Sequence, residues 1–227
     1  MFGFLLSADI SESLGEALSP EKVSLFGSSI KVNPGFYTAF AVSMILIIAA
    51  VILYFTVVKK MKRVPGKVQR ILEMIVGGFS NMAEKSGTGM VGGYIMIAAL
   101  YIGLGTLVEL LGFRPIMADL NACLAMGIST FSLICYYGVK VHKAKRLKRY
   151  LNPINLITDL AIPVSMSFRL YGSILSGLLI MELVYSYIAL SFVVPVLVSV
   201  ITTLFHAFIQ SYIFATLSTL FIAEATE

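Results

Sequence analysis

Arg169 is the residue in this sequence whose type and position most strongly suggest specific chemistry. It is the only charged residue in the apolar stretch 160–171. Arginine stays protonated in proteins, so a cation in such a stretch requires a carboxylate partner or water. Small residues surround it at helical spacing: Ser165, Gly172, Ser173, Ser176 and Gly177. Small residues allow a second helix to approach closely, so the carboxylate partner could belong to another chain. The alternative is an ion pair within this chain, with Asp159 or Glu182.

A second polar pattern lies closer to the C-terminus. Ser199, Thr203, His206 and Gln210 recur at intervals that place them on one face of a helix. Such a stripe predicts either a water-filled path, in which His206 exchanges protons near neutral pH, or hydrogen bonds to neighbouring helices.

Further ionisable residues also interrupt apolar segments and are functional candidates for that reason. They are Glu109, Asp119, Asp159 and Glu182. The spacing of Cys and His residues does not suggest a metal site. The glycine-rich stretch 87–93 lacks the strand and helix that flank a phosphate-binding loop. We therefore predict neither a metal nor a cofactor.

The composition indicates that these residues lie in a membrane. Hydrophobic residues make up 58% of the 227 residues and charged residues 13%, against about 45–50% and about 25% in soluble domains. The mean hydropathy is +0.92, which excludes a soluble enzyme, a disordered chain and a disulfide scaffold. The net charge of +5 arises mainly from two basic blocks beside apolar runs. This is the pattern of membrane-side loops, so we expect no nucleic-acid partner.

The apolar runs predict an all-α polytopic membrane protein with five transmembrane helices. The predicted spans are 36–58, 90–112, 116–139, 154–191 and 192–224. The last two exceed the length of an upright span, so we expect a hairpin of two steeply tilted helices, bent at Pro163 and Pro195. Residues 68–85 predict an amphipathic surface helix. We expect an outer N-terminal segment, 1–35, and a single membrane domain, 36–227.

The basic blocks predict the orientation of the chain. They follow the first and third spans, at 59–67 and 140–149, and positive loops face the cytoplasm. We therefore expect the N-terminus outside and the C-terminus in the cytoplasm. The start of the chain lacks the cationic pattern of a targeting sequence. The expected location is the bacterial plasma membrane, with an organellar inner membrane as the alternative.

Three segments resemble subunit a of F-type ATP synthases. Residues 163–177, PVSMSFRLYGSILSG, resemble the family segment PxSLxxRLFGNxxxG. Residues 209–217, IQSYIFATL, resemble IQAxIFxxL, and residues 115–121, PIMADLN, resemble PTADLN. The resemblance covers about residues 36–224, and the first two segments together are its most specific part.

This resemblance implies a stationary subunit that couples proton or sodium flow to ATP synthesis. It implies that Arg169 faces mid-membrane carboxylates on a rotating ring of small hairpin subunits, subunit c, and that Gln210 matches the conserved glutamine of the family. Two offset half-channels then lead to the two sides of the membrane. The other implied partners are the peripheral stalk subunit b and membrane lipid. The chain itself is expected to have no catalytic site for ATP and not to be an enzyme.

The sequence departs from the family pattern at three positions. Ser173 replaces the asparagine that follows the arginine by four residues. Leu178 and Thr203 occupy positions that are often acidic or titratable in the family.

Other ionisable residues lie about one helical turn from those positions. We predict that Glu182 and His206, with Asp119, serve the outer half-channel, and that Asp159 serves the inner one. Ser173 and Thr203 are expected to lie on the ion path as well. The rival hypotheses are a self-contained secondary transporter or channel, with Arg169 binding an anionic substrate, and a scaffold whose polar residues only join helices.

Overall fold

The protein is described here by a computed structural model. It covers residues 23–24, 31–32, 35–56, 58–60, 66–85, 91–142, 153–187 and 193–226. Within these ranges several side chains at helix ends, including that of Glu182, are not described. Most of the predicted outer segment, 1–35, and most of the second basic block lie outside the described residues.

Six helices make up nearly all of the described chain. They are α1 (Gly35–Thr56), α2 (Lys67–Lys85), α3 (Gly92–Leu107), α4 (Leu120–His142), α5 (Pro153–Tyr187) and α6 (Val193–Thr226). Apart from α2, each is long and apolar enough to cross a membrane, α3 together with its 3₁₀ extension Val108–Leu111. The prediction of an all-α protein with five spans is therefore confirmed. The described part also contains one antiparallel pair of two-residue strands, β1 (Val23–Ser24) and β2 (Lys31–Val32).

The helices α5 and α6 form the predicted antiparallel hairpin. Asp159, near the start of α5, lines the same cavity as Glu224, near the end of α6. At the other end, Gly177 of α5 lies beside His206 of α6, where a Cβ on the glycine would be 3.7 Å from the histidine Cε1. Each helix packs more extensively on another neighbour, α5 on α4 and α6 on α3.

Proline has different consequences in these two helices. The helix α5 continues through Pro163, and the Ser167 hydroxyl donates a hydrogen bond to the Pro163 carbonyl oxygen at 2.6 Å. Pro195 is the third residue of α6. The first four N–H groups of a helix have no intrahelical acceptor. Pro195 therefore removes no helical hydrogen bond, so the reason for expecting a bend at this residue does not apply, and the bend itself stays a prediction.

The core consists of two apolar clusters at different depths of the bundle. Ile102, Met117, Leu170 and Phe214 belong to the first cluster, which joins α3, α4, α5 and α6. Ile95, Ile134 and Ile222 belong to the second, to which Ala83 at the end of α2 is added. Only the first half of α1 joins the bundle: Gly35, Thr38 and Val42 are buried and Leu46 packs on the first cluster.

The third span begins later than predicted. A 3₁₀ turn, Ile116–Ala118, precedes it, and Asp119 has extended backbone angles. The Oδ1 of Asp119 accepts a hydrogen bond from the Asn121 N–H at 3.0 Å. This is the geometry of a helix N-cap, in which a side-chain oxygen satisfies a free N–H of the first turn. The helix α4 consequently begins at Leu120 rather than at residue 116.

Candidate functional site

Arg169 lies on the outside of the helix bundle. Ser165, Gly172 and Ser176 are exposed beside it, whereas Ser173 and Gly177 are partly buried toward α6. The strip of small residues around Arg169 is therefore divided between two faces of α5. The outer face presents the guanidinium with almost no side-chain bulk around it on the following turns, which leaves room for a neighbouring helix.

No described residue forms an ion pair with Arg169. Asp159 is ten residues earlier on the same helix, about 15 Å along its axis, and is 6% exposed. It is therefore too far away to pair with Arg169. The side chain of Glu182 lies outside the described residues, so the second intrachain alternative is untested.

A polar cavity lies between the end of α3 and the facing sides of α5 and α6. Its polar lining consists of Glu109, Ser173, Thr202, Thr203 and His206. The volume is about 10 Å³, which is about the space needed for one water molecule. We call this group of residues the Glu109 cavity. It brings together three residues predicted for an ion path, Ser173, Thr203 and His206.

Glu109 faces the polar stripe of α6. It lines the cavity with Thr203 and is close enough to His206 for an electrostatic interaction. The sequence marked Glu109 as a candidate but gave it no role in the path. The signal available in the sequence was its position near the end of a predicted span. The packing of α3 on α6 is what brings it to Thr203 and His206.

The imidazole ring of His206 contacts the backbone of its own helix. Its Nδ1 lies 2.9 Å from the carbonyl oxygen of Thr202. A carbonyl oxygen only accepts hydrogen bonds, so Nδ1 carries a hydrogen and donates it. Gly177 of α5 lies beside this ring, and because glycine has no side chain there is room for the imidazole.

Gln210 and the rest of the α6 stripe face the interior. Gln210 is 7% exposed and lies one turn beyond His206. Two hydroxyls that were not predicted to matter, those of Ser211 and Ser218, are buried without a hydrogen-bond partner in the described structure. The buried sides of α6 therefore carry further hydroxyls beyond the stripe from Ser199 to Gln210.

A second polar cavity lies at the opposite end of the α5–α6 hairpin. Thr158, Asp159 and Glu224 supply its polar lining, and its volume is about 60 Å³. We call it the Asp159 cavity. Asp159 was predicted for the inner half-channel, whereas Glu224 was not selected, because it marks the end of the predicted final span. From His206 to Glu224 the distance along α6 is about 27 Å, so the two cavities are well separated.

Asp119 lies apart from both cavities. Its carboxylate caps α4 and acts electrostatically on Arg114 in the preceding loop. Arg114 is partly buried, and burial lowers the pKa of its guanidinium, while Asp119 and Tyr171 act in the opposite direction. The structure thus assembles Ser173, Thr203 and His206 but does not bring Asp119 to them.

These features define a class of protein. Five membrane-length helices enclose ionisable side chains in two separate cavities, and such residues in membrane helices characterise transporters and ion-conducting proteins. The chain belongs to the ATP synthase A chain family, whose model matches residues 39–223. The family expected from the Arg169 and Gln210 segments is therefore confirmed.

Individual relatives support the same membership over most of the chain. ATP synthase subunit a of Geotalea daltonii is 28% identical over 210 residues, covering 86% of this chain and 90% of its own length. ATP synthase subunit a of Geobacter sulfurreducens is 27% identical, with 83% and 87% coverage. ATP synthase subunit a 2 of Syntrophotalea carbinolica is 30% identical, with 72% and 75% coverage. All three relatives are bacterial, and the chain is a membrane protein of their family.

Proposed function

We propose that this chain is the stationary ion-conducting subunit of a rotary F-type ATP synthase and that Arg169 faces the carboxylates of the rotating ring. The observation that carries the proposal is the exposure of Arg169 on the outer face of α5, beside small residues and without an ion-pair partner among the described residues. A cation on a membrane-embedded surface is costly without a counter-charge. A ring of subunits that each present a carboxylate provides that counter-charge in turn.

The charge of Arg169 explains two parts of the function. A nearby cation favours the ionised form of a carboxyl group and lowers its pKa. Each ring carboxyl that reaches Arg169 therefore releases its ion. The same fixed charge repels a cation moving directly between the half-channels, so ions cross only by travelling with the ring. The membrane potential contributes about 2.3 kcal/mol per charge for each 100 mV.

The two cavities are the proposed half-channels. The Glu109 cavity, with Ser173, Thr203 and His206, serves the outer one, and the Asp159 cavity, with Glu224, serves the inner one. Gln210 lies between them on the interior face of α6. Glu182 remains a candidate for the outer path. Asp119 is better explained as the cap of α4, because its carboxylate is occupied by the Asn121 N–H.

The proposed assembly follows from this orientation. The N-terminal segment 1–35 lies outside and the C-terminus in the cytoplasm of a bacterial plasma membrane, as the basic blocks indicate. The ring of c subunits binds the Arg169 face, and the peripheral stalk subunit b and membrane lipid bind elsewhere on the bundle. The chain has no catalytic role of its own. Family membership disfavours the alternative of a self-contained transporter.

ATP-driven ion uptake into inverted membrane vesicles tests the proposal. We expect Arg169→Ala to abolish uptake while the complex still assembles and hydrolyses ATP. The matched control is Arg70→Ala, because Arg70 is an exposed arginine on α2, and this variant should retain normal uptake. Normal uptake by an assembled Arg169→Ala complex would overturn the proposal and leave Arg169 a structural residue.

A further inference from the structure

A large apolar cavity lies between the first half of α1 and the end of α3. Its volume is about 370 Å³, within the range of about 300–1,000 Å³ that is typical of ligand sites. The α1 wall includes Tyr37, Val42 and Ile45, and the opposite wall includes Val108, Phe113 and Arg114. No carboxylate lines it, and none of the residues of the two polar cavities belongs to it. It is therefore a separate feature of the bundle.

The cavity is deep and opens on the outer surface of the bundle. Val42, at its floor, is 3% exposed, whereas Ile45 and Phe113, at its rim, are 59% and 61% exposed. Ile45 lies near the middle of a membrane-length helix, so this opening faces hydrocarbon. An empty apolar cavity loses the dispersion contacts of its lining atoms. In a bilayer, the apolar molecule that adjoins the opening is a lipid acyl chain.

Arg114 gives the cavity a charged end. It follows the end of the second span, in the loop between α3 and α4, at the level where lipid headgroups begin. A guanidinium stays protonated and presents five N–H donors that match phosphate oxygens in pairs. Asp119 and Tyr171 also act on Arg114, and five donors are enough to bind a phosphate as well.

We propose that this cavity binds one anionic phospholipid of the leaflet opposite the basic blocks. Its acyl chain fills the space between α1 and α3, and its phosphate is bound by Arg114. This lipid also has a structural effect, because only the first half of α1, as far as Leu46, packs on the bundle. A chain between Val42 and Val108 adds to that contact. The proposal is independent of the ion-conducting role.

Photocrosslinking in the assembled complex tests the site. The probes are phosphatidylglycerol and phosphatidylcholine with the same photoactivatable group on one acyl chain, added to the purified complex in nanodiscs. We expect labelling by phosphatidylglycerol within 37–45 and 108–114. It should exceed labelling by phosphatidylcholine by about fivefold, because the phosphate of phosphatidylcholine is neutralised by its own choline cation and only phosphatidylglycerol brings a net negative charge to Arg114.

Three variants distinguish this site from general lipid contact. Ala41→Trp fills the cavity from α1 and should remove the labelling. Arg114→Gln should keep acyl-chain labelling but label equally with the two lipids, because the positive charge that favours the anionic headgroup is lost. The control Ile52→Trp lies on α1 away from the cavity and is exposed, and it should change nothing. Each variant is compared in complexes that assemble, and Arg114→Gln provides the test if Ala41→Trp does not assemble.

Several results would overturn the proposal. Equal labelling by the two lipids would show that the site does not select an anionic headgroup. Unchanged labelling of Ala41→Trp would show that the acyl chain binds outside this cavity. Labelling spread evenly along α1 would indicate bulk lipid only. If no lipid labels the site but a cysteine at position 41 crosslinks to the N-terminal segment or to another subunit, a protein segment occupies the cavity.

Discussion

Glu109, in the 3₁₀ extension of α3, and Thr203, in the first half of α6, line the same polar cavity. They come from helices that are far apart in sequence, and His206 lines this cavity too. The Glu109 cavity thereby acquires a carboxylate and an imidazole at neighbouring positions. Carboxylates and imidazoles are the side chains that typically form proton relays in membrane proteins.

The carboxylate of Glu109 is expected to be needed for ion flow. Glu109→Gln preserves the size of the side chain but cannot take up a proton, so the initial rate of ATP-driven uptake should fall about a hundredfold, the lower end of the contribution of one proton-transferring side chain. The control is Glu84→Gln, at an exposed glutamate on α2. Uptake by Glu109→Gln at the rate of the control would exclude Glu109 from the path.

The two cavities are expected to open to opposite sides of the membrane. In a background with Cys123 and Cys135 replaced by alanine, Ser173→Cys and Thr158→Cys place single thiols in the two polar linings. A membrane-impermeant thiol reagent should label Ser173→Cys from the outer side and Thr158→Cys from the cytoplasmic side. The measurement compares labelling in intact cells and in inverted vesicles. Labelling of both positions from the same side would contradict the arrangement of half-channels.

Asp119 is expected to act as a helix cap rather than as an ion carrier. Asp119→Ala removes the acceptor for the Asn121 N–H and should cost about 0.5–2 kcal/mol of stability. Asp119→Ser restores a capping oxygen without a titratable group, so it should retain both thermal stability and ion uptake. Thermal unfolding and uptake are measured for both variants. Loss of uptake in a stable Asp119→Ser complex would show that the carboxylate of Asp119 takes part in ion transport.

Gly127 is expected to be required for the packing of α4 on α5. A Cβ at this position would lie 2.7 Å from the carbonyl oxygen of Pro163 and even closer to the Ser167 hydroxyl. The backbone cannot move aside as a flexible side chain can, so Gly127→Ala should cost about 1–3 kcal/mol.

The matched control for this change is Gly93→Ala in α3, where an added Cβ meets nothing within 4 Å. Both variants are compared by the temperature at which the complex loses its assembled state. Equal temperatures for Gly127→Ala and Gly93→Ala would mean that α4 and α5 are not packed as closely as the structure has them.

Hydropathy and local motifs were sufficient to predict the class of protein. The length of an apolar run and the position of lysine and arginine are properties of a short segment, and the membrane acts on each segment almost independently. The segments around Arg169 and Gln210 identified the family for the same reason, since each motif lies within one helix.

Helix ends were predicted less well because they depend on single hydrogen bonds. The third span was expected to begin at residue 116, but the Asp119 cap places its start at Leu120. The capping residue was visible in the sequence. Its role became clear only from the extended backbone at Asp119 and the 3₁₀ turn before it.

The sequence by itself determined that this chain is a five-span membrane protein with a cation at Arg169 and a polar stripe on its last helix. The tertiary structure decided which residues meet: Glu109 with Thr203 and His206, and Asp159 with Glu224. The physical reason is that periodicity along one helix defines its faces, whereas the neighbour of each face depends on how all the helices pack together. Arg169 lies on the outer face because α5 directs its other side toward α4 and α6.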